Sequence, residues 1–200
     1  IVAVKQGSIF TTIGNVAEQY KASAIIMGTH GAKGMQKVFG SFAMKVIIST
    51  GVPFMVIQKE TTIKTFNNIC LSIDPSAESM QIMNLAGNLA KTYNAKIHII
   101  AEKESDKIIA KKIKVNLTVL SKHLNKINVN YHLELLEKKG SWIDTVINYA
   151  NKNSLDMFAY SYDSDRFLAS NDKFSQALLF NPHKLPALII NAKKVTSTYF

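Results

Sequence analysis

Arginine, cysteine and tryptophan are nearly missing from this chain of 200 residues: each occurs once, as Arg166, Cys70 and Trp142. A single cysteine excludes an internal disulfide framework and suits a reducing compartment, so a cytoplasmic protein is expected. With one arginine, the 24 basic residues are almost all lysines, and they set a formal net charge of +10 against 14 acidic residues. Arginine is the side chain favoured for planar phosphate and base recognition. The lysines are scattered (Lys5, Lys21, Lys33, Lys37, Lys45 and Lys59 in the first part) and are not interleaved with aromatics. The charge therefore reads as a solvated lysine surface, and no nucleic-acid partner is expected. No apolar run approaches the roughly 18 to 20 residues needed to cross a bilayer, so no membrane partner is expected either. Ile1 to Gly7 lacks the basic start and long apolar stretch of a signal peptide. Hydrophobic residues make up 47% of the chain, enough for a real core.

Several catalytic signatures are also missing. No Gly-Lys pair occurs, which excludes a Walker loop, and there is no Gly-x-Ser-x-Gly elbow. The five histidines (His30, His98, His123, His132, His183) show no paired metal-ligand spacing. Cys70 lies within an apolar run and reads as a buried, inert thiol. Asn116-Leu117-Thr118 matches a glycosylation acceptor but falls inside an expected helix, and Trp142 reads as a packing residue at a helix start.

What is present is an internal repeat. Lys5, Gly7, Ser8, Thr12, Asn15 and Ala17 recur as Lys138, Gly140, Ser141, Thr145, Asn148 and Ala150, all at an offset of 133. The same offset carries Pro53 onto Pro186 and Ile57 onto Ile190. Self-similarity at a fixed period signals repeated structural units. Residues 1–60 correspond to the second half of a unit, and the first half, 67–133, has no counterpart before Ile1. The expected division is 1–60 as the back half of a first domain, 61–66 as a linker, 67–193 as a complete second domain and 194–200 as a tail. About 66 residues are expected ahead of Ile1 in the natural protein.

The complete unit reads as alternating strands and helices. Asn68–Ile73 is a short apolar, β-branched run that reads as a strand, broken by Asp74-Pro75-Ser76. Ile82, Leu85, Ala86, Leu89, Ala90 and Tyr93 then line one helix face. Ile97–Ile100 is the second strand, and a long helix is expected over about 105–125. Val129, Tyr131, Leu133 and Leu135 alternate with polar residues, which marks a third strand with one wet face near a sheet edge. Ser141 caps the next helix, with Asp144 three residues on. Met157–Tyr160, a short helix over about 173–180, and Ala187–Ile190 complete the unit. Such alternation implies a parallel sheet with helices on both faces, whose ligands bind at the carboxyl ends of the strands.

At one such end, after the strand Ala24–Met27, four glycines (Gly28, Gly31, Gly34, Gly40) stand within thirteen positions, before a helix opened by Ser41. Glycines let backbone N–H groups approach an anion, and a helix start adds unpaired donors. The loop reads either as a phosphate cradle, with Lys33 or Lys37 adding charge, or as an ordinary flexible connection. It strongly resembles the loop of the universal stress proteins, whose nucleotide-binding members carry Gly-x2-Gly-x9-Gly-Ser/Thr after strand four. The flanking A-I-I-M and G-V-P-F-M-V-I fit as well, and the whole chain is similar to the tandem form of that family. Here eight residues, not nine, separate Gly31 from Gly40.

The resemblance implies an adenine nucleotide alpha hydrolase-like fold, a doubly wound parallel five-stranded sheet ordered 3-2-1-4-5. It implies ATP as ligand, with Mg²⁺ accompanying it. Met27, Gly28 and Gly31 would then lie along ribose and phosphates, with His30 in the same loop, and Gly40, Ser41 and Phe42 would meet the phosphates from the helix start. The family's further contact, an aspartate ending strand one, matches Asp74, which belongs to the second unit. That unit's own loop lacks glycine: Tyr160 is read as standing where Gly28 stands and Asp163 where Gly31 stands. Two carboxylates there repel an anion. The expectation is a stress-response protein with a nucleotide-binding first unit, a degenerate second unit and an unidentified regulatory protein partner, not an enzyme beyond a weak ATPase. The alternative is a scaffold that only dimerises. The last strands, Phe54–Ile57 and Ala187–Ile190, are expected to pair the two units, as members of the family commonly dimerise through that edge, and homo-oligomers are expected through the same pairing. Strand three of residues 1–60 lacks a neighbour, so completion by an upstream segment, another chain or rearranged pairing is expected.

Overall fold

The computed structural model describes residues 2, 4–29, 43–59, 61–62, 65–163 and 172–192. In chain order its elements are α1 (Ile9–Gln19), β1 (Ile25–Thr29), α2 (described over 43–47), β2 (Phe54–Gln58) and β3 (Asn68–Ser72). A 3-10 turn (Glu78–Ile82) leads into α3 (Met83–Tyr93), then come β4 (Lys96–Glu102), α4 (Lys107–Lys126), β5 (Tyr131–Leu136) and α5 (Trp142–Lys152). β6 (Met157–Tyr162), α6 (Lys173–Leu179) and β7 (Ala187–Asn191) close the chain.

The local causes are those the residues suggest. Ser141 Oγ accepts from the Asp144 amide at 3.0 Å and caps α5; Ser8 Oγ accepts from the Phe10 amide and caps α1. Asp106 caps α4, accepting from the amides of Ile108 and Ile109. The α4 stripe Ile113, Leu117, Leu120 and Leu124 is buried against β3 and β4, while β5 keeps a wet face and lies at the sheet edge.

All seven strands form one sheet in the order β1-β2-β7-β6-β3-β4-β5. Every neighbouring pair is parallel except β2 with β7. Within 67–193 the strands run 3-2-1-4-5, as the resemblance implies. The expected five strands are thus part of a seven-stranded mixed sheet, because β2 pairs across to β7 and brings β1 with it.

The repeat is written into the backbone residue by residue. Ile25 faces Phe54 and Thr29 faces Gln58; 133 positions on, Phe158 faces Ala187 and Tyr162 faces Asn191. The bounds of α1 shift onto those of α5 by the same number. Lys21 and Ser154, also 133 apart, both adopt φ = 50° after those helices. The two halves meet about a local two-fold axis through the Met55–Leu188 pair, flanked by Phe54↔Ile189 and Val56↔Ala187. Two buried amides bond across the seam in matching fashion: Gln58 Nε2 donates to the Asn181 carbonyl (3.0 Å) and Asn191 Nδ2 to the Ile48 carbonyl (3.1 Å).

The last strands pair the two units with each other, as expected, and do so inside one chain; each has a second neighbour, β1 or β6. Neither offers a free edge to another copy. The edges among the described residues are β1 and β5. No strand is formed ahead of α1 there, where Val2 and Val4 are exposed. Among the described residues no helix is long and apolar enough to cross a membrane.

Two cores flank the sheet. One packs α3 and α4 on Ile69, Leu71, Ile97 and Ile99; the other packs α2, α5 and α6 on Phe54, Val56, Phe158 and Ile189. Cys70 is buried in the second, and burial pushes its thiol well above the ordinary range, which fits an inert group.

Candidate functional site

The two strand ends singled out by the sequence lie at opposite ends of the sheet. β1 and β3 are separated by β2, β7 and β6, and the antiparallel seam points their carboxyl ends in opposite directions. Met27 and Gly28 therefore belong to one place and Asp74 to another. Met27 is half-buried and Gly28 exposed in the last turns of β1. Among the described residues, a Cβ built on Gly28 meets nothing within 4 Å, so these residues leave the strand end open at the glycine itself. His30, Gly31, Lys33, Gly34, Lys37, Gly40, Ser41 and Phe42 lie outside the described residues.

Asp74 follows β3. Its Oδ1 accepts from the Ser76 amide (2.7 Å) and from the Ser76 hydroxyl, forming an Asx turn. Its carbonyl accepts from Ser79 Oγ (3.1 Å) and Asn116 Nδ2 (3.0 Å), and Asn116 also donates to the Ser76 carbonyl. Asn116 was expected only as a discounted glycosylation match; it is the brace of this turn. Its signal in the sequence was a polar amide flanking the apolar stripe of α4.

Beside that turn, between the ends of β3 and β6, is a cavity of about 520 Å³. Its walls include Asp74, Glu78, Lys138, Trp142, Asp163 and Asp172. Register corrects the alignment of this loop with the first. Gly28 faces Ile57 as Ser161 faces Ile190, so Ser161 stands where Gly28 stands, and Tyr160 stands where Met27 stands. Tyr160 is buried, its ring edge-on to Phe174 and its hydroxyl donating to the Ser175 carbonyl at 3.3 Å. Tyr160 is thus part of the cavity wall, held against α6 by these contacts. Ser161 Oγ lines the cavity and is buried without a hydrogen-bond partner among the described residues.

The electrostatics of the cavity oppose an anion. Burial, then the Asp172 and Asp163 carboxylates, hold the Tyr162 phenol up at about 12. Lys138 is drawn to Glu102 at 3.5 Å. Asp172 is engaged in capping α6, accepting from the amides of Phe174 and Ser175.

The histidines group elsewhere. His98 is buried under α5, its Nδ1 3.1 Å from the Tyr149 hydroxyl and its ring 5.6 Å from that of His132, which reaches Glu134 at 3.3 Å. No cluster of three metal-ligating side chains occurs among the described residues. Burial first, then Lys96 and His132, push His98 below its ordinary 6.5, with Glu134 acting the other way. His123 moves the same way, through burial and Lys126. The folded chain therefore binds a proton at these sites less readily than the unfolded chain. Their contribution to stability is complete above about pH 6.5 and is lost as pH falls through the lowered folded values. Urea midpoints measured at pH 7.5 and 5.5 are expected to fall at the lower pH. The difference shrinks in His98→Phe and shrinks further when His123→Gln is added.

Comparison with known proteins follows the same division of the chain. Residues 1–58, which contain β1 and the glycine loop, match the model of the Universal stress protein family. A comparison with curated protein sequences returned no match. Among solved structures, a universal stress protein from Archaeoglobus fulgidus DSM 4304 superposes with a TM-score of 0.71 at 15% identity, over 91% of this chain and 64% of that one. The putative universal stress protein from Pseudomonas aeruginosa UCBPP-PA14 gives 0.60 at 15% identity, over 93% of this chain and 69% of that one. A universal stress protein in complex with cAMP gives 0.52 at 15% identity, over 64% of this chain and 99% of that one. The present chain thus spans just under two thirds of the length of the Archaeoglobus protein.

Fold and strand order define a doubly wound α/β protein with a mostly parallel sheet. Residues 1–58 match the sequence model of the Universal stress protein family, and the chain as a whole is similar to universal stress proteins in fold.

Proposed function

We propose that this chain is a nucleotide-responsive stress protein of the cytoplasm, binding an adenine nucleotide at the glycine loop beside β1. The single observation that carries the reading is the open Cβ position of Gly28, at the carboxyl end of a strand inside the family-matched segment. In a parallel sheet this is where ligands sit. A solved relative of the same fold is a complex with cAMP, which makes an adenine nucleotide the first ligand to try. The second unit serves as a partner domain that does not bind phosphate: Ser161 replaces the glycine, and Asp163 and Asp172 line the cavity. The reading is of binding that biases a conformation or assembly sensed by another protein, with ATP turnover at background.

Gly28→Val tests it cleanly. Valine suits a strand, and its Cβ meets no neighbour at this position, so the fold is left intact. Equilibrium binding of labelled ATP and of cAMP is expected for the parent chain and at least about ten-fold weaker for the variant, a loss of ~1.4 kcal/mol. Unfolding midpoints of the two proteins should coincide. Absence of binding by the parent chain would sink the reading in favour of a scaffold, and turnover above background would make it an enzyme.

A further inference from the structure

α4 carries two apolar faces, and folding accounts for only one of them. Ile113, Leu117, Leu120 and Leu124 are buried against the sheet. At 3.6 residues per turn, Ile108, Val115 and Val119 fall on the opposite side of the helix. They are 70%, 53% and 48% exposed. Valine is stiff at χ1 and a weak helix former, so at an exposed helical position it supports neither the helix nor the core. The fold therefore gives no reason for a line of three aliphatic side chains on this crest, and such exposed patches mark contact surfaces.

The charge on the same crest is of one sign. α4 holds six lysines, Lys107, Lys111, Lys112, Lys114, Lys122 and Lys126, all of them exposed. No Asp or Glu occurs from 107 to 133. None of the six forms an ion pair among the described residues. Lys111, Lys112, Lys122 and Lys126 share the crest with the three aliphatic residues. Lys107 and Lys111, and again Lys122 and Lys126, stand four apart, a spacing at which like charges destabilise a helix. The nearest carboxylates in sequence, Glu104 and Asp106, are confined to the N-terminal end, where Asp106 is engaged as the cap. An anionic surface laid on the crest relieves this repulsion and covers the aliphatic side chains together.

We propose that the outer face of α4 docks on an anionic phospholipid bilayer, with the helix lying along the interface. The lysine heads meet the lipid headgroups, and Ile108, Val115 and Val119 enter the boundary between headgroups and acyl chains. Three features favour a lipid surface over a macromolecule. The aliphatic side chains stand on a helix crest, not in a groove that could seat a partner's anchor. The crest has no Arg, Trp or Tyr, the residues that dominate protein interfaces. Nucleic acid would engage the lysines through its phosphates and leave the aliphatic side chains without a role. A surface contact of this kind needs no helix that crosses the membrane.

Sedimentation of the 200-residue chain with phosphatidylcholine vesicles, with and without phosphatidylserine, tests the proposal. At about 0.1 M salt the screening length is about 10 Å, so distant charges count for little. Binding is expected only where phosphatidylserine is present. Lys111→Gln, Lys112→Gln and Lys122→Gln together should weaken it by about a hundred-fold, and glutamine keeps the helix propensity of lysine. The matched triple Lys5→Gln, Lys152→Gln and Lys173→Gln removes the same charge away from α4 and should leave binding unchanged. Val115→Ala with Val119→Ala, which favours the helix, should weaken binding by about five-fold or more. Insertion is read from an environment-sensitive fluorophore on Val119→Cys, since Cys70 is buried and stays unlabelled. A blue shift is expected there and not on Asn151→Cys, on α5 at the other face of the sheet. Any of four results overturns the proposal: no binding to phosphatidylserine vesicles, equal losses from the two lysine triples, binding indifferent to the alanines, or a shift at 151 in place of 119. Binding of a DNA duplex in place of vesicles overturns it equally. No nucleotide ligand enters the vesicle measurements, so their outcome is separate from that at Gly28.

Discussion

Replacing Phe54 by alanine is expected to lower the free energy of unfolding by about 3–5 kcal/mol, the range for removing a buried aromatic ring from a close-packed core. Phe54 is fully buried in β2, facing Ile25 on one side and Ile189 across the antiparallel seam on the other. Its cluster joins Met44 and Ile47 of the first half to Phe158, Leu179 and Ala187 of the second. The void therefore opens in a core that both halves share, and neither can close it without moving the seam. Urea unfolding followed by tryptophan fluorescence and by circular dichroism checks the result. Trp142 reports on the second half, whereas dichroism reports on both. A loss below about 1 kcal/mol would mean that the seam carries little of the stability, and separated transitions would show that the halves have been uncoupled.

Asn181→Ala is expected to cost about 3 kcal/mol, through polar groups and not through volume. The side chain is buried. Its Nδ2 donates to the carbonyls of Leu178 and Leu185, each at 2.8 Å, and its Oδ1 accepts from the Leu185 amide at 3.0 Å. Alanine leaves one amide and two carbonyls short of partners. It also loosens the backbone carbonyl that receives Gln58 Nε2 across the seam. For a chain of this size the melting temperature should drop by roughly 6–12 °C. Gln58→Ala combined with Asn181→Ala should cost less than the sum of the two, because both act on the same contact. Strict additivity would disprove the coupling.

Much of this architecture is legible in the sequence because the repeat and the periodicity report the same object. The Gly-Ser pairs at 7–8 and 140–141 open two helices of equal length, and the alternation in 129–135 marks a strand that is an edge strand in the sheet. The pairing of β2 with β7 was expected from the resemblance, which makes the last strands the pair that joins the two units. Two things were not legible. The alignment of the glycine loop with the second unit slipped by one residue, since similarity of loops does not fix register and only the strand ladder places Ser161 opposite Ile190. Gln58 and Asn191 lie just past the expected strands Phe54–Ile57 and Ala187–Ile190, yet both are buried and donate to the opposite half. At the candidate site, the strand that carries Met27 and Gly28 was legible from its apolar run. The brace from Asn116 to Asp74 was not, because it joins residues 42 positions apart through side-chain geometry alone.

The seam contains only three facing residue pairs in each strand. Two free molecules meeting through so short a ladder would have to overcome the full loss of translational and rotational freedom. The link from Gln58 to Asn68 removes most of that loss, since a short tether holds its ends at an effective concentration on the order of millimolar. Union of the two halves in this chain is therefore first order. It does not dilute away, and its strength is set by the tether as much as by the three pairs.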